Sequence, residues 1–182
     1  MTGAGLEFTS RAAEIDERRI EADLAAAMAS PPEIAVALAR AKALEVSRLD
    51  PESHVIGSDQ VLSLEDRLLH KPADMAEAAD HIRAMAGTTH YLNCGVAIAH
   101  RGDVIWSDVS IAAMTMRPIS EAFLERYLQM SGEGILGSVG AYHFEGPGIQ
   151  LFGTIDGDYF TILGLPMLKL LGGLRELDLI DA

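Results

Sequence analysis

Asp59 is the residue whose type and setting first suggest chemistry, because it interrupts an apolar run in the segment HVIGSDQVL. The flanking pairs Val55–Ile56 and Val61–Leu62 otherwise predict a buried strand. An ionised carboxylate in such a strand is costly unless another group pairs with it. Three roles are open for it: a general base, a metal ligand, or a structural group that caps a helix or pins a loop.

Two lysines are candidate partners. Lys71 stands directly before Pro72, which favours extended backbone, and a hairpin would return it close to Asp59. This pair is either part of a site or a simple salt bridge that closes the hairpin. Lys42 lies at the edge of the apolar stripe of a predicted helix. Its spacing alone favours a side chain extending to water over one pointing into a cleft beside the sheet.

Two glutamates complete the candidate set. Glu17 lies in the segment IDER, and Glu145 lies in a glycine-rich loop, where backbone can approach a ligand closely. Together with Asp59 and the lysines, they suit an acidic group that activates water while cations and a metal draw charge from a phosphate. The sequence lacks P-loop spacing, metal-ligand spacing among its 6 histidines, and a nucleophile elbow.

Caps, turns and periodicity predict the elements that must position these residues. Ser30, Pro31 and Glu33 predict a capping box and helix start. The remaining predicted elements are strand His54–Leu62 with partner Leu68–Leu69 around the turn EDR, a helix from Asp74 to Gly87, strands Thr89–His100 and Val104–Met116, a helix from Ser120 to Gly132, strand Ile149–Ile155 and a helix from Pro166. Their alternation predicts a single α/β domain over residues 1–182 with mixed strand directions.

Composition excludes several classes of protein. The net charge of −13 and pI near 4.7 oppose sequence-independent nucleic-acid binding and docking on anionic membranes. The single cysteine, Cys94, rules out an internal disulfide and is expected to be a buried structural thiol. The sequence shows neither an apolar run of about 18 residues nor a signal peptide, so a cytoplasmic protein is expected.

Four segments resemble the Maf family of nucleotide pyrophosphatases: VIGSDQVL, LLHKPADMAEAADHIRAMAG, SVGAYHFEG and IDGDYFTILGLPMLKLL. In that order and at those spacings they are highly specific, and the resemblance runs from about Gly5 to the C-terminus. It implies an elongated, twisted sheet with flanking helices around a deep cleft, often in a homodimer. It also implies hydrolysis of a nucleoside triphosphate to the monophosphate and pyrophosphate, dependent on Mg²⁺ or Mn²⁺.

The resemblance assigns roles residue by residue. Asp59 matches the proposed proton acceptor, while Lys42 and Lys71 match lysines of the family's KA and KP motifs that hold the triphosphate. Glu17 matches the glutamate of the DE motif, and the carboxylates of Glu17 and Asp59 are expected to carry the metal and orient water.

Gln60 and Glu145 concern the base. This pair matches the subgroup that resembles 7-methyl-GTP pyrophosphatases, whereas many members carry Thr and Gln there. A carboxylate suits the N1–H and exocyclic amine of a purine, especially on a methylated, cationic ring. The expected function is removal of modified or non-standard nucleotides.

One departure leaves alternatives open. Family members begin with a strand and the motif LASxSxxR, whereas this sequence begins at GAGLEF, downstream of that segment. The missing strand and phosphate-binding motif favour a catalytically impaired nucleotide-binding or dimerising homologue as the main alternative. A dTTP or UTP pyrophosphatase is a further one.

Overall fold

A computed structural model describes residues 1–65 and 67–181, which form both helices and strands. In chain order the elements are α1 (Glu17–Ala26), α2 (Pro31–Leu49), β1 (Val55–Leu64), β2 (Arg67–Leu69), α3 (Met75–Met85), β3 (Thr89–His100), β4 (Asp103–Met116), α4 (Glu121–Ser131), β5 (Phe152–Asp156), α5 (Tyr159–Ile162) and α6 (Met167–Glu176). Short 3₁₀ helices lie at Thr2–Ala4, Gly132–Gly137, Val139–Ala141 and Pro147–Leu151.

Within the described residues the strands form a five-stranded sheet in the order β2-β1-β3-β4-β5. Leu62 of β1 pairs with Leu69 of β2, and Ala113 of β4 pairs with Asp156 of β5, both in antiparallel ladders. Helices flanking this sheet confirm the predicted α/β class. The strands are antiparallel, which is a more regular arrangement than the mixed directions that the sequence indicated.

Local capping chemistry determines where the helices begin, as predicted. At the start of α2 the Glu33 carboxylate accepts the Ser30 backbone N–H at 2.7 Å and the Ser30 hydroxyl at 2.6 Å. At the start of α3 the Asp74 carboxylate accepts the backbone N–H of Glu77 at 2.9 Å. Each bond satisfies a backbone donor or fixes the turn that precedes the helix.

Three features differ from the sequence prediction. Helices α1 and α5 were not predicted. Strand β5 begins at Phe152, because the residues expected to open it lie in the 3₁₀ helix Pro147–Leu151. Pro147 stands at the start of this 3₁₀ helix, where the fixed φ of proline favours a helical turn. Of the predicted turn EDR, Asp66 lies outside the described residues; Glu65 has a positive φ of 53°.

The chain divides into two compact units. The first unit comprises Met1–Asp59, Cys94–Ser110 and the C-terminal residues from Gly164, and the second comprises Gln60–Asn93 and Ile111–Leu163. Strands β1, β3 and β4 contribute residues to both. The single domain expected from the sequence stays a prediction.

The core of the first unit depends on small residues of α2. Ala35, Ala39 and Ala43 are each 0% exposed and recur every four residues, so they form one row along the helix. A second cluster joins apolar residues of α6 to β3.

The core of the second unit is larger and contains buried polar side chains. Leu62, Ile82 and Met114 are fully buried, and the buried Tyr127 hydroxyl donates to the Ala141 carbonyl at 2.9 Å. His90 is also 0% exposed. Among the helices that the structure describes, none is at once long and apolar enough to cross a membrane.

His90 makes the stability of the protein depend on pH. Its Nε2 lies 2.8 Å from the Tyr142 hydroxyl, and burial lowers its pKa from 6.5 to about 4. Between these values the unfolded chain binds a proton that the folded chain does not. We therefore expect His90 to reduce the free energy of unfolding by about 3 kcal/mol as the pH falls from 7 through 4.

The measurement is urea unfolding at pH 7 and pH 4.5 for the wild type and for His90→Gln, which cannot gain a proton. The variant should lose less stability on acidification. His70→Gln, at an exposed position, is the control and should follow the wild type. Equal acid sensitivity of His90→Gln and the wild type would show that this buried imidazole does not cause the loss.

Candidate functional site

Two carboxylates of the first unit converge on one lysine. Lys42 Nζ lies 2.5 Å from Asp59 Oδ1 and 2.8 Å from Glu17 Oε1. The side chains of Asp59 and Lys42 are only 11% and 25% exposed, whereas that of Glu17 is 52% exposed. The spacing of Lys42 favoured a side chain extending to water, and this interpretation is wrong: Lys42 points at Asp59.

Backbone proximity explains why Lys42 reaches Asp59. A Cβ on Gly57 would lie 2.3 Å from the Ala39 carbonyl oxygen and 2.7 Å from the Ala43 nitrogen, so β1 and α2 touch backbone to backbone. Asp59 follows Gly57 by two residues and therefore faces the same helix. Lys42 precedes Ala43 and lies at the edge of the contact row, within reach of that carboxylate.

Glu17 is held by the start of α1. Asp16 caps this helix, and its carboxylate accepts the Arg19 backbone N–H at 3.1 Å. Helix α1 in turn packs against α2, which carries Lys42. The sequence named Glu17 as a candidate and the family motif gave its role, but helix α1, which positions it, was not predicted.

The charges in this cluster stabilise one another. Burial is the largest influence on Lys42 and acts to lower its pKa, but the hydrogen bonds and negative charges of Asp59 and Glu17 outweigh it and leave the pKa raised. Lys42 is thus a cation at neutral pH. A buried pair of this kind offsets the desolvation of its charges only because both partners are present.

The donor set fits a divalent cation held partly by substrate. Within the described residues there is no group of three or more His, Cys, Asp or Glu side chains placed to hold a metal. Glu17 and Asp59 nevertheless place two carboxylates against the same group, the ammonium of Lys42. Mg²⁺ is commonly bound by one or two carboxylates with phosphate oxygens and waters as its other ligands, so two carboxylates suffice.

Ser58 is a residue that the sequence analysis missed. Its hydroxyl lies 2.9 Å from the Gly95 carbonyl and 2.8 Å from the Gly164 carbonyl, so it links β1 to β3 and to the segment before α6. Cys94 beside it is buried, which confirms the expected structural thiol. A serine inside a strand gives no sequence signal for such links.

The second unit contains a pocket of about 420 Å³ that includes both predicted base-selecting residues. Gln60 and Glu145 line it, together with apolar side chains that include Leu92, Phe144 and Ile162. A volume of this order accommodates a planar ring system. The residues predicted to select the base are thus brought to one cavity.

Hydrogen bonds orient both polar residues. The Gln60 amide nitrogen donates to the Thr161 carbonyl at 2.8 Å and to the Ile162 carbonyl at 3.3 Å. The Tyr159 hydroxyl donates to one oxygen of the Glu145 carboxylate. Tyr159 is a second residue that the sequence analysis missed, and α5, which carries it, is too short for periodicity to detect.

Lys71 belongs to the second unit. It is exposed and follows β2, directly before the buried Pro72. Its predicted approach to Asp59, and with it the choice between site residue and hairpin salt bridge, stays a prediction.

These features define an α/β protein that has a carboxylate–lysine cluster suited to anions and a metal, and a pocket lined by hydrogen-bonding side chains. The chain belongs to the Maf family: the family described as "Maf-like protein" matches residues 1–177.

Similar proteins extend this finding. A Rhizobium etli protein named 7-methyl-GTP pyrophosphatase is 57% identical over 181 residues, covering 100% of this chain and 91% of that protein. A Rhizobium meliloti protein of the same name is 54% identical, covering 100% and 92%. A Bradyrhizobium diazoefficiens protein named nucleoside triphosphate pyrophosphatase is 52% identical, covering 99% and 88%.

Gly57 provides a test of how the cluster is assembled. In Gly57→Ala the new methyl group would overlap the Ala39 carbonyl, so α2 must move away from β1. We expect a loss of about 3 kcal/mol in the free energy of unfolding, measured by denaturant titration. Gly172→Ala in α6 is the matched control, because a Cβ there meets nothing within 4 Å. Equal stability of Gly57→Ala and the wild type would contradict the backbone contact.

Proposed function

We propose that this chain is a nucleoside triphosphate pyrophosphatase that hydrolyses 7-methyl-GTP to 7-methyl-GMP and pyrophosphate. The proposal depends on one observation, the partly buried cluster in which Lys42 pairs with Asp59 and Glu17. The names of the similar proteins support the reaction and the substrate. Such an enzyme removes modified nucleotides, and we infer that it acts in the cytoplasm, where nucleoside triphosphates are made.

In the proposed reaction a water oxygen forms a bond to the α-phosphorus, and the bond from that phosphorus to the α–β bridging oxygen breaks. Pyrophosphate carries away the electron pair of the broken bond. The Asp59 carboxylate accepts the proton of the attacking water as general base. Its low exposure keeps the carboxylate in a setting of few waters, where its orientation is fixed by Lys42.

The lysines are proposed to bind the triphosphate. Lys42 carries a positive charge in a partly buried position and can exchange a carboxylate for a phosphate oxygen without losing its pairing. Lys71 is proposed for the same role by its match to the family motif. Neutralising the phosphate charge favours the transition state, in which charge shifts towards the leaving pyrophosphate.

Glu17 and Asp59 are proposed to hold Mg²⁺ or Mn²⁺ together with phosphate oxygens. A bound divalent cation would supply Lewis-acid stabilisation of the phosphate charge. Glu17 and Asp59 would themselves hold their two carboxylates beside Lys42 and orient the attacking water.

Gln60 and Glu145 are proposed to select the base. Gln60 directly follows Asp59 in β1, so the residues proposed for base selection and for chemistry are neighbours in the chain. The resemblance to the family also predicts a homodimer, which light scattering of the purified protein would measure.

Asp59→Asn tests the proposed general base. We expect pyrophosphate release from 7-methyl-GTP with Mg²⁺ to fall about 10³-fold, since an amide cannot accept the proton. The fold should survive, because Lys42 retains Glu17 at 2.8 Å. The matched control is Asp108→Asn, which removes the carboxylate of the Lys169 ion pair in the same unit and should leave the rate unchanged.

Different results would favour the alternatives. Turnover that persists in Asp59→Asn, with a lowered melting temperature, would make this residue a structural partner only. Binding of nucleotide without turnover in the wild type would indicate the impaired homologue. Faster release from UTP or dTTP than from 7-methyl-GTP would replace the proposed substrate.

Metal removal tests the role of the carboxylates. Turnover should cease in excess EDTA and return with Mg²⁺ or Mn²⁺. Glu17→Gln should raise the Mg²⁺ concentration for half-maximal rate by about tenfold, because one of two charged ligands is lost. Asp108→Asn again serves as the control. Undiminished turnover in EDTA would refute the metal requirement.

A further inference from the structure

A short helix that contributes Ile162 to the lining of the 420 Å³ pocket in the second unit also binds two polar side chains of that lining. Helix α5 comprises only Tyr159–Ile162, yet it contacts both polar residues proposed to read the base. Its carbonyl groups bind Gln60, and its first side chain binds Glu145. The proposal that Gln60 and Glu145 select the base does not by itself predict either of these contacts with α5.

Of the two polar atoms of the Gln60 side chain, the amide nitrogen is already hydrogen-bonded to the protein. Both hydrogens of its amide nitrogen have acceptors, the carbonyl oxygens of Thr161 and Ile162. Helix α5 cannot offer donors at these two positions, so the amide cannot be turned around without leaving two carbonyls unsatisfied. The side-chain carbonyl oxygen of Gln60 is therefore the atom available to a ligand, and it accepts hydrogen bonds.

Glu145 is oriented in a comparable way. The Tyr159 hydroxyl donates to its Oε1, which leaves Oε2 as the second acceptor at the pocket. Glu145 is otherwise exposed on a loop, so this bond is what restrains its side chain. The hydrogen bond to Glu145 is the main cause of the raised pKa of Tyr159, and the hydroxyl keeps its proton at neutral pH.

Helix α5 is itself rigidly capped. The Asp158 carboxylate accepts the backbone N–H groups of Phe160 and Thr161 at 3.0 Å each, and it also binds the Thr161 hydroxyl. Thr161 is 0% exposed. The helix therefore offers its carbonyl groups and the Tyr159 hydroxyl from a fixed position.

We propose that Tyr159 is a positioning residue which, together with the α5 carbonyl groups, presents two hydrogen-bond acceptors to the ligand and so selects a base edge with two adjacent donors. This inference rests on the proposed function, because it takes the pocket as the base site. Guanine and 7-methylguanine offer N1–H and an exocyclic amine side by side. Adenine and uracil place an acceptor next to a donor and leave one protein acceptor without a partner.

Tyr159→Phe removes the hydroxyl and keeps the ring. Calorimetric binding of GMP, IMP and UMP needs no turnover, and IMP differs from GMP only by lacking the exocyclic amine. We expect the wild type to bind GMP about tenfold more tightly than IMP. The variant should bind GMP about tenfold more weakly than the wild type does, its affinities for GMP and IMP should differ by less than about twofold, and its affinity for UMP should be unchanged. Turnover of 7-methyl-GTP should show a raised KM and a kcat within about twofold of the wild type.

Tyr91→Phe is the matched control, because Tyr91 is a similarly exposed tyrosine of the same unit, whereas the hydroxyl that binds Glu145 is that of Tyr159. It should bind all three nucleotides as the wild type does. In Glu145→Ala, adding Tyr159→Phe should change GMP affinity by less than twofold, because the acceptor that the hydroxyl orients is gone.

Failure of this inference is distinguishable from failure of the proposed function. An active wild type whose Tyr159→Phe variant binds GMP and IMP unchanged, or weakens all three nucleotides equally, would overturn the positioning role alone. An inactive wild type that still shows the Tyr159-dependent preference for GMP over IMP would retain this inference and overturn the hydrolase. A melting temperature of Tyr159→Phe near the wild-type value would exclude unfolding as the cause.

Discussion

The backbone contact between α2 and the strands beneath it is the constraint on which the first unit depends. A Cβ at Gly57 would lie 2.3 Å from the Ala39 carbonyl, and one at Gly95 would lie 2.3 Å from the Ala35 carbonyl. Two glycines on adjacent strands thus pack against one row of alanines on a single helix. Packing at this distance leaves no space for rearrangement, because protein interiors are close-packed. The position of α2, and of every side chain at its edge, follows from it.

This contact connects packing to electrostatics. If Lys42 turned away from β1, the largely buried Asp59 side chain would lose the positive charge that pairs with it, which would be costly. The helix position therefore maintains the ion pair, and Glu17 satisfies a second donor of the same ammonium group. The second unit solves a different problem, the orientation of neutral and exposed groups, and it does so with carbonyl groups and a hydroxyl of α5. Rigid backbone holds the polar side chains in both units.

The sequence predicted those structural features that are determined by residues close together in the chain. The starts of α2 and α3 follow from caps within three or four residues. Asp59 stood out because it interrupts an apolar run and Glu145 because it lies in a glycine-rich loop, and the family motifs then gave both residues a role. Contacts between distant segments could not be read in this way. The direction of the Lys42 side chain depends on two glycines in other strands, so its spacing indicated water. Helix α5 spans four residues, which is less than two helical turns. The hydrogen bond from Tyr159 to Glu145 joins the start of this helix to a distant loop, and no local pattern records their proximity.

The shared ammonium group of Lys42 also has a thermodynamic consequence for the order in which ligands arrive. An anion that draws Lys42 towards itself leaves Asp59 and Glu17 facing one another with less neutralising charge, and like charges at such separations repel. The arrival of a cation relieves that repulsion. Anion and cation therefore increase each other's affinity by the same factor, as linkage requires. A site built in this way favours uptake of both together over uptake of either one alone.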